Sequence, residues 1–141
     1  MDFLNHRTCG VIQLKPDHWE KMRSDVNDRA PEEACGLVAG LDDSSTAVFP
    51  ITNLLHSQVR YRMDPQEQLV AFQWIDDHDW TLLAIYHSHP QGPHGPSRSD
   101  VAETTYPGVI YLIWSRLREA WDCRGYLIQG GEVTEVLVLV S

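Results

Sequence analysis

The spacing of apolar residues in the first third of the chain predicts a strand, a helix and two further strands. Residues 10–14 read as a short strand. A helix is predicted over 16–27, in which Trp19, Met22 and Val26 are spaced to form one buried stripe. Two further strands are predicted over 34–39 and 46–52, separated by a polar turn. This part of the chain therefore mixes strand and helix.

A second helix is indicated by its capping residues. Residues 64–67 combine an N-cap aspartate, a proline at the first helical position and a glutamate at the third. Leu69, Phe72 and Ile75 fit the inward face of this helix. We therefore expect these three side chains to pack against the rest of the protein.

The middle of the chain carries an uninterrupted apolar segment over residues 82–86, which runs directly into His87. Such a segment is typical of a central strand that is buried on both faces. Three more strands are predicted over 109–114, 121–128 and 133–140. Strands and helices without regular alternation predict an α+β fold, a mixed curved β-sheet with flanking helices. With 141 residues, the whole chain, 1–141, is expected to form a single domain.

Charge and cysteine usage exclude several classes of protein. The 11 basic and 20 acidic residues give a net charge of −9, and an acidic surface repels phosphate backbones, so no nucleic-acid partner is expected. Three cysteines without a Cys-x-x-Cys spacing argue against a disulfide scaffold and suit a reducing cytoplasm. Residues 1–7 do not resemble a secretory signal, and the apolar run 108–114 is about a third of a membrane span. We expect a cytoplasmic protein without membrane association.

Candidate chemistry is concentrated in fourteen positions that contain His87, His89, Ser97 and Asp100. Because side chains alternate along a strand, His87 and His89 project on the same side, close enough to share a cation. Two histidines and one carboxylate leave zinc an open position for water. The segment therefore indicates a metal-dependent hydrolase.

Each half of this segment also has an ordinary structural interpretation. A His-x-His pair alone is a weak indication of a metal site. Ser97-x-x-Asp100 is also a helix capping box, and most such boxes do nothing else. The two interpretations of the box are compatible, because a helix N-terminus favours the ionised carboxylate that a zinc ligand must be.

Glu33 is a candidate general base, a carboxylate that hydrogen-bonds the attacking water without binding the metal. The alternative is that Glu32 and Glu33 are two solvated loop acids. His94, in a flexible Gly-Pro-His-Gly setting, is expected to be solvent-exposed. Cys35, in an apolar run, is expected to be a buried small hydrophobe and not a nucleophile.

Taken together, these residues resemble the JAMM signature of the MPN-plus metalloprotease family. A glutamate lies upstream, followed by His-x-His, seven residues, a serine, two residues and an aspartate. The flanking residues agree, with Pro-Glu-Glu-Ala-Cys-Gly-Leu around Glu33 and His-Ser-His-Pro around the histidines. The resemblance covers nearly the whole chain and implies a single MPN domain with a fold similar to that of cytidine deaminases.

The resemblance implies a role for each signature residue. His87, His89 and Asp100 would bind one zinc ion. Glu33 would take a proton from the attacking water and deliver it to the leaving amine. Ser97 would hydrogen-bond the water or the developing oxyanion.

The resemblance also implies a substrate class. Members of the family cut isopeptide or peptide bonds after the C-terminal tail of ubiquitin or a ubiquitin-like β-grasp protein. The compact length and residues 59–68 are similar to the prokaryotic members, some of which act on small sulfur-carrier proteins and release a single amino acid. Within that stretch Arg60 and Arg62 are candidates to receive a carboxylate or polar tail, and a solvated strand edge explains them equally well.

Two alternatives come from different functional classes. A non-catalytic MPN scaffold is the first, and the presence of all five signature residues argues against it. A nucleotide deaminase is the second, and it is excluded because no Pro-Cys-x-x-Cys ligand pair follows the histidine motif.

Overall fold

The computed structural model describes residues 10–103, 106 and 108–141, and within them seven strands and three helices. In chain order these are β1 (Val11–Leu14), α1 (Pro16–Arg29), β2 (Cys35–Leu41), β3 (Ser44–Ile51), α2 (Pro65–Asp77), β4 (Thr81–His89), α3 (Arg98–Ala102), β5 (Ile110–Leu117), β6 (Ala120–Gln129) and β7 (Glu132–Val140). Each predicted element is present within a few residues of its expected bounds. The expectation that residues 1–7 form no secretory signal lies outside the described residues.

The strands form one mixed sheet in the order β1-β3-β2-β4-β5-β6-β7, which closes into a barrel. Closure comes from parallel pairing of Val11–Leu14 with residues 137–140 of β7, whereas β1 pairs with β3 at a single position. Strand β4 pairs antiparallel with β2 and parallel with β5. The predicted α+β fold with a mixed curved sheet is confirmed, and the closure is an additional feature.

From Ala84 onward, alternate residues of β4 enter two different cores, because successive strand side chains point to opposite faces. Ala84 and Tyr86 pack with Met22 and Val26 of α1. Ile85 packs with the second core, which includes Ala71 and Ile75 of α2. His87 and His89 continue the series of Ile85, so they lie on the α2 side of the sheet.

The predicted inward face of α1 is confirmed, since Met22 and Val26 are fully buried and Trp19 packs against the same core. For α2 the prediction is partly wrong. Ile75 is buried and Phe72 is partly buried, but Leu69 is 57 % exposed and its expected place is taken by Ala71. The helix has apolar residues on more than one side, and the small alanine faces the sheet. Among the described residues, no helix is both long enough and apolar enough to cross a lipid bilayer.

Candidate active site

The two histidines and Asp100 converge on one point at the end of β4. The Nε2 atoms of His87 and His89 lie 3.0 Å apart. Asp100 Oδ1 lies 3.2 Å from Nε2 of His87, and its Oδ2 lies 3.1 Å from Nε2 of His89. Both imidazoles are almost fully buried, and the carboxylate is 12 % exposed. Strand alternation brings the histidines together, and α3 brings in the aspartate.

Different contacts orient the two imidazoles. Nδ1 of His89 lies 2.8 Å from the carbonyl oxygen of Pro93. When the ring is neutral, a proton on Nδ1 donated there would leave Nε2, which faces Asp100 and His87, free to bind a metal. Nδ1 of His87 has no hydrogen-bond partner in the described part of the chain. Its ring is instead stacked on Tyr61, with ring centroids 4.6 Å apart and planes inclined by 28°.

The charge states of these groups are set by burial and by their mutual contacts. Burial opposes ionisation of Asp100, but hydrogen bonds from His87 and His89 outweigh it and hold the pKa of the carboxyl well below its usual value. Burial lowers the pKa of His87, against the opposing effect of Asp100. At His89 burial is outweighed by Asp100 and the Pro93 carbonyl, so its pKa is raised. An ionised carboxylate beside a neutral His87 is the state in which such groups bind a metal.

Glu33 lies at the same site but comes from a different part of the chain. It is 3 % exposed and immediately precedes Ala34, the residue before β2. Ligand atoms of Glu33, His87 and His89 all lie within 4.8 Å of one another. Burial raises the pKa of Glu33 to about 7, with His89 acting to lower it and Asp100 to raise it. The alternative of a solvated loop acid is wrong for this residue.

The donor set fits a zinc ion. Two imidazole nitrogens and a carboxylate are the ligands that zinc takes in sites with an open position. Here they face one another at 3.0–3.2 Å, in a buried place where a cation would neutralise the carboxylate. Both carboxylates are near the histidines, but Asp100 contacts both rings directly. A carboxylate from either Asp100 or Glu33 is therefore placed to complete a site with the two histidines.

Ser97 caps α3 and is joined to Asp100 by two hydrogen bonds. Its hydroxyl accepts from the backbone N–H of Asp100 at 3.1 Å, and its own N–H donates to Oδ2 of Asp100 at 2.8 Å. The capping box read from the sequence is therefore present. Its described hydroxyl contacts are with Asp100 and with the hydroxyl of Ser99 at 3.3 Å. The box fixes where Asp100 points.

Two side chains that the sequence did not single out hold Glu33 in place. Ser88 lies between the two histidines, and its hydroxyl accepts from the backbone N–H of Ala34 at 2.8 Å. Asn53 is buried and donates to the carbonyl oxygens of Glu33 and Arg60 at 3.0 and 3.1 Å. Both contacts join segments that are distant in sequence. Serine within His-x-His was visible as a motif position, whereas Asn53 and Tyr61 gave no periodic signal.

The predictions for His94 and Cys35 agree with the structure. His94 is exposed, and its Nδ1 lies 3.0 Å from the hydroxyl of Ser115. Cys35 is fully buried, its thiol contacts the carbonyl oxygen of Ile51 at 3.4 Å, and burial raises its pKa to about 12. A thiol with so high a pKa is not a nucleophile at neutral pH.

Comparison with known proteins gives the family. Residues 15–124 match the family model described as prokaryotic homologs of the JAB domain. The chain belongs to this family.

Solved structures show the same JAB fold. A protein of Desulfitobacterium hafniense has a TM-score of 0.82 and 32 % identity, with 92 % of each chain covered. A JAB1/MPN domain protein from Archaeoglobus fulgidus has a TM-score of 0.55 and 18 % identity, covering 91 % of this chain and 99 % of that one.

Curated relatives of this JAB-domain chain carry names that state an activity. A CysO-cysteine peptidase of Mycobacterium tuberculosis is 35 % identical over 94 % of this chain and 92 % of its own length. A desampylase of Haloferax volcanii is 35 % identical over 77 % of this chain and 83 % of its own length.

Proposed function

We propose that this JAB-domain chain is a zinc-dependent metallopeptidase of the JAMM type. Its substrate would be the peptide or isopeptide bond that follows the C-terminal tail of a ubiquitin-like or sulfur-carrier β-grasp protein. The observation that carries the proposal is the convergence of His87, His89 and Asp100 within 3.2 Å, beside the buried carboxylate of Glu33. The named peptidase and desampylase relatives support the choice of substrate class.

The metal would be held by His87, His89 and Asp100. When bound there, zinc supplies a Lewis acid and lowers the pKa of a coordinated water. We assign the ligand role to Asp100 because its two oxygens contact both imidazoles, and the base role to Glu33 because it contacts neither at that distance.

Glu33 would move the proton of the reaction. Its carboxylate accepts a proton from the attacking water as the C–O bond forms at the scissile carbonyl carbon. The C–N bond then breaks, and the carboxyl of Glu33 gives the proton to the leaving nitrogen. A pKa raised to about 7 by burial suits both transfers, because the group is nearly balanced between its two forms at neutral pH. Ser97 would donate a hydrogen bond to the developing oxyanion.

Three further expectations belong to the proposal. Each chain would bind one zinc ion, and residues 1–141 would form one domain. The site of action would be the cytoplasm, in keeping with the free thiols of Cys35 and Cys123.

The test is to incubate the zinc-loaded protein with carriers that bear a C-terminal extension, and to follow intact masses. Ubiquitin-like and sulfur-carrier substrates are compared, each with a linear extension and with an isopeptide-linked lysine. We expect a cut directly after the terminal Gly-Gly of one class, loss of the cut with EDTA, and its return with added zinc. No cut in any substrate, or a cut that persists at full rate in EDTA, would contradict the proposal.

A further inference from the structure

A cavity of about 340 Å³ lies beside the proposed active site, on the same face of the sheet. Its floor is formed by Ile85 of β4 and Tyr111 of β5, which are register partners. Tyr61 and Met63 form an apolar wall, and Arg62 contributes a cation. Glu103 also lines the cavity, and its carboxylate is paired with Arg60 at 3.0 Å. The lining therefore combines apolar side chains with one cation, Arg62, and one carboxylate that is already paired.

The cavity is one layer of side chains away from the histidines. Ile85 precedes His87 by two residues on the same face of β4, which is about 7 Å along a strand. Tyr61 is shared by both places, since its ring stacks on His87 and also lines the cavity. A substrate bound at the histidines could therefore extend into the cavity with the atoms next to its scissile bond.

Arg62 is held at the cavity by its backbone, while no described residue forms an ion pair with its guanidinium. Its N–H donates to Oδ1 of Asn53 at 3.0 Å, and its carbonyl oxygen accepts from Leu54 at 2.8 Å. Arg60, two residues earlier, is instead paired with Glu103 at 3.0 Å. Glu103 lines the same cavity, but its described ion pair is with Arg60, so Arg62 is a cation at the cavity without a described carboxylate partner.

We propose that this cavity receives the residue that leaves on cleavage, and that Arg62 pairs with the free α-carboxylate of that residue. The planar guanidinium fork matches a carboxylate in two hydrogen bonds. This inference rests on the proposed function and narrows its substrate class to a carrier protein extended by a single amino acid. Hydrolysis would then release that amino acid with its carboxylate still bound to Arg62.

The size of the cavity agrees with a single residue. About 340 Å³ equals the share of roughly eleven water molecules in the liquid. That space holds one amino acid of modest size and excludes a folded protein. The apolar side of the cavity, with Met63 and Ile85, suits an uncharged side chain on the leaving residue.

Binding of a product-like probe tests the inference without any catalysis. N-acetyl-L-valine, which has a free carboxylate, is titrated into the zinc-loaded protein, and N-acetyl-L-valinamide is titrated in parallel. The backbone amide resonances of Met63 and Gln68, which line the cavity, report binding by NMR. We expect saturable chemical-shift changes with the acid. The affinity for the amide should be lower than that for the acid by at least about tenfold.

Two variants assign the preference to Arg62. Arg62→Gln should bind the acid as weakly as the amide. Arg23→Gln removes the same charge from an exposed position on α1 and should retain the preference of the wild type. Equal affinity for acid and amide in the wild type, an unchanged preference in Arg62→Gln, or no saturable shift would overturn the inference.

A kinetic comparison separates this inference from the proposed function. The substrates are one carrier extended by valine and the same carrier extended by valinamide. We expect kcat/KM for the acid to exceed that for the amide by about tenfold, and Arg62→Gln to abolish the difference. Equal cleavage of both would overturn the cavity assignment and leave the peptidase intact. Cleavage of neither, with binding through Arg62 retained, would overturn the peptidase alone.

Discussion

The hydroxyl of Ser88 accepts a hydrogen bond from the backbone N–H of Ala34 at 2.8 Å, and the backbone N–H of Ser88 donates to the carbonyl oxygen of Ala34 at 3.0 Å. Ser88 separates the two histidines in sequence, and Ala34 follows Glu33. Two hydrogen bonds therefore set the distance between the proposed base and the proposed ligands. Because Ser88 points away from the metal site, it acts as a positioning residue.

Ser88→Ala should reduce turnover without removing the metal. The buried N–H of Ala34 would lose its partner, at a cost of about 1–3 kcal/mol in the free energy of unfolding. A small displacement of Glu33 should lower kcat about tenfold or more, with KM and zinc content little changed. Ser45→Ala is the matched control, because Ser45 is also fully buried and accepts from the N–H of Lys15 at 3.0 Å. It should lose stability and keep kcat, and an unchanged kcat in Ser88→Ala would refute the positioning role.

Ser97 has two possible roles, a cap for α3 and a donor in the reaction, and two substitutions separate them. Ser97→Ala removes both and should also cost about 1 kcal/mol of stability. Ser97→Asn keeps an N-cap oxygen but loses the hydroxyl, so stability should be retained. If the hydroxyl stabilises the oxyanion, kcat should fall about a hundredfold in both variants at equal zinc content. Full turnover in Ser97→Asn would restrict Ser97 to the cap.

Gly36, in the Ala-Cys-Gly motif, is required by packing and not by chemistry. A Cβ built at Gly36 would overlap the ring of Tyr86, whose hydroxyl is fixed by Asp25 at 2.7 Å. Gly36→Ala should therefore destabilise the protein by at least about 1–3 kcal/mol, measured by denaturant unfolding. Gly10→Ala is the control, since nothing lies within 4 Å of its added Cβ. Equal stability of the two variants would show that Tyr86 moves aside at no cost.

Much of the site could be predicted from the sequence because its ligands obey local rules. Alternation on a strand places His87 and His89 on one face, and a capping box fixes Asp100 relative to Ser97. The position of Glu33 is harder to predict, because its approach to the histidines depends on the pairing of β2 with β4, where Cys35 opposes His87. The family resemblance supplied that non-local relation. The roles of these five residues remain predictions.

Other features could not be read from local pattern. The exposure of Leu69 was missed because α2 carries apolar residues on several sides, and periodicity does not say which side meets the sheet. The stacking of Tyr61 on His87 comes from a segment between β3 and α2 that has no period. Barrel closure depends on pairing between β1 and β7, at opposite ends of the described chain.

The most direct test is to measure zinc content and turnover together in Glu33→Gln, with Asp100→Ala and Glu32→Gln beside it. Glu33→Gln should keep its zinc and lose about two to four decades in kcat, because the base is lost and the ligands remain. Asp100→Ala should lose the zinc itself. Glu32 directly precedes Glu33 and is half-exposed, so Glu32→Gln should keep both zinc and turnover. Loss of zinc from Glu33→Gln together with full zinc in Asp100→Ala would reverse the two roles, and near-normal turnover in Glu33→Gln would contradict the account.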